Sequence, residues 1–258
     1  MPARRSLSIL RLAGKASIRR RPVNSALGLA LNARERLQAG RAATYDGRFD
    51  EALLHFLWFH DHALQEDPAF AGVRLSFALG YWLELAQQYG PAMDAFRTRR
   101  DAKVAILRAG QLDRSLFHDV EAMSERLQED ETTAALFVLL HERSPDFARS
   151  CARIAVPMLV RTKRFVLAKE YMPEPKARIE RLVQELLRDI GEIEERPRTR
   201  APRFQAFTHI FADDLTDTLD VLRATGASKQ AAQLKRRAIS SLKLKYIQNA
   251  VAKHIGEA

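Results

Sequence analysis

Histidine offers the first chemistry to weigh in this chain. His55, His60 and His62 fall on one helical stretch, with Asp61 between the last two. His55 and His62 share a helix face, but two turns separate them, too far for one metal ion. His60 is not at the i+4 spacing that helical ligand pairs use, and no Cys/His cluster completes a site. Two His-Asp dyads, His60-Asp61 and His118-Asp119, resemble a base and its orienting acid, yet adjacent side chains on a helix point apart. The single cysteine, Cys151, stands in an apolar helical pattern and reads as a buried thiol of a reducing compartment. No Gly-rich phosphate loop, GxSxG, HExxH or CxxC occurs. The expectation is a non-enzymatic chain with no catalytic residue, no cofactor and no metal. The aromatic stretch Phe56-Leu57-Trp58-Phe59 and the pair Tyr81-Trp82 read as core, with Trp58 or Trp82 the ring best suited to reach a groove.

The elements that must carry these residues are helical throughout. Ser25 is placed to cap a helix running to Tyr45, which Gly47 ends before Asp50 caps the next. Asp67-Pro68 breaks that helix, another spans 71–88, and Gly90-Pro91 opens the one after it. Further helices start at Asp113 and near Asp130; Pro145, Pro157 and Pro173 punctuate the later segments. Nothing alternates with a period of two, so the fold class is all-α. The longest apolar run, Ala134 to Leu140, is seven residues, well short of the ~20 that cross a bilayer.

Within these helices a pattern recurs forty residues apart: Gly40-x11-Ala52-x3-Phe56 and Gly80-x11-Ala92-x3-Phe96. Thr133 with Phe137 and Pro145, and Ala168 with Phe165 and Met172, continue it more faintly. Residues 35–172 thus resemble tetratricopeptide repeats, although the spacings of 40, 41 and 35 exceed the regular ~34. The resemblance implies a right-handed α-solenoid of antiparallel helix pairs, followed by additional C-terminal helices. It implies that Gly40 and Gly80 admit a close partner helix, with Ala52 and Ala92 facing them and Phe56 and Phe96 filling the space between pairs. It also implies a scaffold that binds a partner protein or peptide along the first helix of each pair. That face carries Arg34, Gln38, Arg41, Tyr45, Arg74, Phe77 and Tyr81, a set suited to an acidic or carboxylate-terminated peptide. The lysine-and-asparagine clamp of chaperone-binding members is missing, with Leu37 and Arg41 at its positions.

Charge divides the chain differently. Eight of its 42 basic side chains stand in residues 1–34 without one acid, and the other 34 nearly balance the 32 acids. Residues 1–34 therefore form a basic tail, solvated in the cytoplasm or similar to a mitochondrial transit peptide directed to the matrix. Residues 173–258 form a basic extension: a helix over 175–194, a linker over 196–202, a helix over 204–224, and a last helix capped by Ser228. Lys235, Arg236, Arg237, Lys243, Lys245 and Lys253 lie on this last helix, with Tyr246 as the accompanying aromatic. The basic ends make nucleic acid or an anionic membrane surface the alternative partner.

Overall fold

The computed structural model describes residues 31–194 and 200–255, and every regular element among them is a helix. The first, α1 (Ala33–Tyr45), is closed by a capping box: the Glu35 amide donates to Asn32 Oδ1 at 3.0 Å, and the Asn32 amide to Glu35 Oε2 at 2.9 Å. The expected cap, Ser25, lies outside the described residues. Gly47, at φ +74°, makes the turn into α2 (Phe49–Glu66), where Asp50 occupies the first turn rather than the cap. Asp67 instead caps a 3₁₀ turn, Pro68–Phe70, by accepting from the Ala69 amide at 2.8 Å.

The helix expected over 71–88 is two. α3 (Ala71–Leu75) and α4 (Phe77–Ala86) part at Ser76, whose φ of −118° and ψ of −87° leave the helical region. α5 (Gly90–Arg108) opens with Pro91 in its first turn, and Asp113 caps α6 (Arg114–Leu127) by accepting from the Ser115 amide at 2.7 Å. α7 (Asp130–Arg143) and α8 (Pro145–Arg161) come next. Pro157 does not punctuate: it lies inside α8, between buried Val156 and buried Met158 and Leu159, whose packing opposes the break that a proline favours. After α9 (Phe165–Glu170) come α10 (Pro175–Glu194) and α11 (Arg200–Ala224). The expected linker thus loses Arg200 to Pro202 to a helix; Pro202 falls in the first turn, where its ring is accepted. The last helix is also divided, into α12 (Ser228–Ser241) and α13 (Lys245–His254), with Lys243 at φ +51° between them.

Helices pack mainly against their neighbours in the chain, α1 on α2, α4 on α5, α5 on α6, α7 on α8 and α10 on α11. One core gathers Ala52, Phe56, Trp82, Ala92 and Phe96; a second runs from Val104 to Met172; a third, from Ile179 to Val251, joins α10 to α13. The alanine-type positions of the recurrence, and the large side chains one turn on, are interior, whereas Gly80 and Phe165 are half-buried and Pro145 is exposed. Ala52, Ala92, Thr133 and Ala168 have no exposed surface, and Phe56, Phe96, Phe137 and Met172 are buried one turn on. Trp82 fixes the second unit, its indole N–H donating to the Ala92 carbonyl at 3.0 Å and its ring edge-on to Phe96 at 5.1 Å.

The two glycines are not equivalent. A Cβ on Gly40 would stand 2.8 Å from Phe56 Cε1 and 3.2 Å from His55 Cβ, so the close approach of α1 to α2 requires glycine there. A Cβ on Gly80 would meet nothing within 4 Å, which corrects the expectation of close approach at that position. Leu79 and Trp82, both buried, make the contacts on either side of it. Gly40→Leu is therefore expected to lower the melting temperature severely. Gly80→Ala is expected to leave stability unchanged or raise it by up to ~1 kcal/mol in chemical denaturation, because only helix propensity changes.

Candidate binding cleft

Two exposed stripes meet at the first end of the described chain. On α1, Arg34, Gln38, Arg41 and Tyr45 recur at helical spacing and all face solvent, Tyr45 with 93% of its surface exposed. On α4, Phe77, Tyr81, Glu84 and Gln88 just beyond its end repeat the same spacing. Between the stripes lies a cleft of about 590 Å³, walled by Arg41, Tyr45, Tyr81, Glu84 and Gln88, with Phe56 reaching it from α2. The Arg41 guanidinium lies over the Tyr81 ring, 4.1 Å from its centroid. Of the residues expected to form a groove, Arg41, Tyr45 and Tyr81 come together here. Arg34 and Gln38 continue the α1 stripe beyond the cleft, and Phe77 is exposed one turn before Tyr81 without lining it. Glu84, Gln87 and Gln88 were missed, although Glu84 and Gln88 follow from Tyr81 at i+3 and i+7.

Arg74 does not belong to the groove. It is 8% exposed, and its guanidinium closes on Asp119, Nη1 to Oδ1 at 2.6 Å and Nη2 to Oδ2 at 2.5 Å. Its Nε donates to the His60 carbonyl at 2.7 Å, and Lys103 approaches Asp119 from α5 at 2.8 Å. The break at Ser76 is what separates inward Arg74 from outward Phe77. Burial opposes ionisation of Asp119, but the Arg74 guanidinium and Lys103 outweigh it and hold its carboxyl below the usual carboxylate range.

These partners also dissolve the two His-Asp dyads. Asp119 serves Arg74, and Asp61 accepts from Arg99 at 2.8 Å, so neither carboxylate orients the histidine beside it. His60 is buried edge-on to Trp82, both ring nitrogens lacking a partner, and burial with the Arg74 charge pushes its pKa down to about 3. Trp82 is core, whereas half-buried Trp58 carries the Arg36 guanidinium 4.1 Å above its ring. The Cys151 thiol is buried, and burial pushes its pKa up, away from the reactive thiolate. No three His, Cys, Asp or Glu side chains among the described residues are arranged to hold a metal ion.

A second polar cluster carries an excess of carboxylates. Arg161 on α8 meets Glu121 at 3.1 Å and Glu125 at 3.3 Å from α6, and Asp130 from α7 at 2.9 Å. Three carboxylates thus share one guanidinium charge. Burial, then the neighbouring Glu125, raises the Glu121 pKa to about 7; burial, then Asp214, raises that of Asp217 on α11 to about 6. For Glu121 the folded value exceeds the unfolded one, so its contribution to stability is complete below the unfolded value of about 4.5. It is lost as pH rises through about 7. Glu121→Gln is accordingly expected to raise the melting temperature relative to the unsubstituted chain at pH 8 and to lose that advantage at pH 5, as a paired thermal series would show.

Scans of the chain against protein-family models, curated proteins and solved structures returned no match.

Proposed function

We propose that the chain is a non-enzymatic, tetratricopeptide-like adaptor that holds an extended segment of a partner protein between α1 and α4. The observation that carries this reading is the cleft itself: a guanidinium stacked on Tyr81 beside the almost fully exposed ring of Tyr45. Arg41 keeps its N–H donors for a carboxylate while stacked, and the two tyrosines offer apolar area at low entropic cost. The Gln87 and Gln88 amides provide both donors and acceptors for peptide backbone. Glu84 narrows the choice: one acidic side chain or a terminal carboxylate suits Arg41, and a second acid close by would be repelled.

The wider arrangement we propose is a right-handed solenoid of antiparallel helix pairs. It is supported by the recurrence of fully buried Ala52, Ala92, Thr133 and Ala168 and by packing that runs mainly between chain neighbours. Such a scaffold exposes one continuous face, which is why its ligands are extended segments rather than folded cores.

The test is a fluorescence-anisotropy screen of extended peptides carrying one acidic residue or a free C-terminus, with amidated and neutral counterparts. Binding is expected to fall by about tenfold or more in Arg41→Glu, with the melting temperature unchanged, and also in Tyr81→Ala, whose half-buried ring packs on the core and whose loss lowers the melting temperature as well. Arg34→Glu, outside the cleft, is expected to weaken it far less. A screen without binders, or binders indifferent to Arg41→Glu, would reject the reading.

A further inference from the structure

The segment from Ser228 to Ile255 carries seven lysines and arginines and no acidic residue. Another element neutralises part of this charge: Glu180 of α10 meets Arg237 at 2.9 Å. The turn between α12 and α13 is different. Lys243 takes a left-handed backbone, φ +51°, which a side chain other than glycine or asparagine seldom adopts. The Leu244 amide donates back to the Leu242 carbonyl at 2.5 Å, and Leu242 and Ile247 on either side are fully buried. The result is a firmly anchored tip, Lys243-Leu244-Lys245-Tyr246, of which all four residues are exposed. Leu244 shows 48% of its surface and Tyr246 45%, so an aliphatic and an aromatic side chain alternate with two lysines. Exposed Arg236 on α12 and Lys253 on α13 add to the same positive field.

We infer that this tip docks the protein peripherally on an anionic lipid bilayer, Lys243 and Lys245 facing lipid phosphates and Leu244 entering the boundary between headgroups and acyl chains. Charge complementarity supplies the attraction to the surface, and the exposed leucine supplies what a purely electrostatic contact lacks. Tyr246 belongs at headgroup level, with its apolar body and polar end. The contact is peripheral, since no helix among the described residues is long and apolar enough to cross a membrane. Nucleic acid fits less well. Tyr246 is already occupied by Phe204, ring centroids 5.5 Å apart, which hinders stacking of a base, and Leu244 has no role on a phosphate backbone.

Co-sedimentation of the full chain with vesicles tests this, using phosphatidylcholine alone or with about 30% phosphatidylserine. Binding is expected to be roughly tenfold stronger on the anionic vesicles and to weaken as salt is raised. It is expected to fall about fivefold or more in Lys243→Glu/Lys245→Glu and measurably in Leu244→Ser, with unchanged melting temperatures because all three residues are exposed. Equal binding to both vesicle types overturns the inference. So does undiminished binding of the double variant, which would place the attraction elsewhere, residues 1–34 included. Tighter binding to a single-stranded RNA, lost in the same double variant, would overturn it in favour of nucleic acid.

Discussion

The fork of Arg74 closed on both oxygens of Asp119 ties together four helices from separate parts of the described chain. Through it α3 meets α6; through Nε it holds α2 at the His60 carbonyl, and through Lys103 it recruits α5. Removing two charges from water costs several kcal/mol each, so such a pair survives only with bidentate geometry and further hydrogen bonds. Both conditions are met here. The second cation leaves the locality positive, and His60 beside it stays neutral even though its nitrogens find no partner. The cleft and the fork share one bend in the chain. The break at Ser76 turns Arg74 inward and starts α4 afresh, so that Phe77 emerges exposed and Tyr81 lies under Arg41 of α1.

α6 separates two opposite imbalances. Asp119 faces two cations, while Glu121 and Glu125, on other sides of the same helix, join Asp130 around the single charge of Arg161. Residues two apart on a helix point away from each other, which is how one element serves both surroundings. The two clusters respond to protons in opposite directions. Charging His60 would add a cation to an excess of cations, so acid opposes folding there; protonating Glu121 relieves an excess of carboxylates, so acid favours it. With the His60 pKa near 3 and that of Glu121 near 7, both effects overlap between about pH 4.5 and 6.5 and partly cancel.

What the sequence disclosed was the apolar periodicity, and what it withheld was every decision made by a polar partner far along the chain. Ala52, Phe56, Ala92 and Phe96 declared themselves by type and spacing because interior volume admits few alternatives there. Even degenerate Thr133 kept its interior place, its hydroxyl left without a partner. Arg74 looked like a surface arginine in a helix that continued past it; its acid stands forty-five residues on, and no local pattern announces that pairing. The divisions at Ser76 and Lys243 were hidden as well, since neither residue is a helix breaker by type. In the cleft, Arg41, Tyr45 and Tyr81 were among the positions that the tetratricopeptide resemblance implied, whereas their acidic neighbour Glu84 enters only when the second stripe is followed past Tyr81.

Gly40 and Gly80 show how far a repeated letter can be trusted. Both occupy the same place in the motif, yet only Gly40 has an aromatic ring and a neighbouring helix where its Cβ would go. The difference follows from what each first helix packs against. α1 lies directly on α2, with Phe56 pressed beneath Gly40, whereas α4 meets α5 through Trp82, whose indole fills the interval and hydrogen-bonds to the Ala92 carbonyl. A large ring held by its own hydrogen bond spaces the helices apart, and the glycine is then no longer required. The same substitution of spacing by a side chain leaves Gly80 free to accept a methyl group while Gly40 is not, and it makes the second unit depend on Trp82 where the first depends on the absence of a side chain.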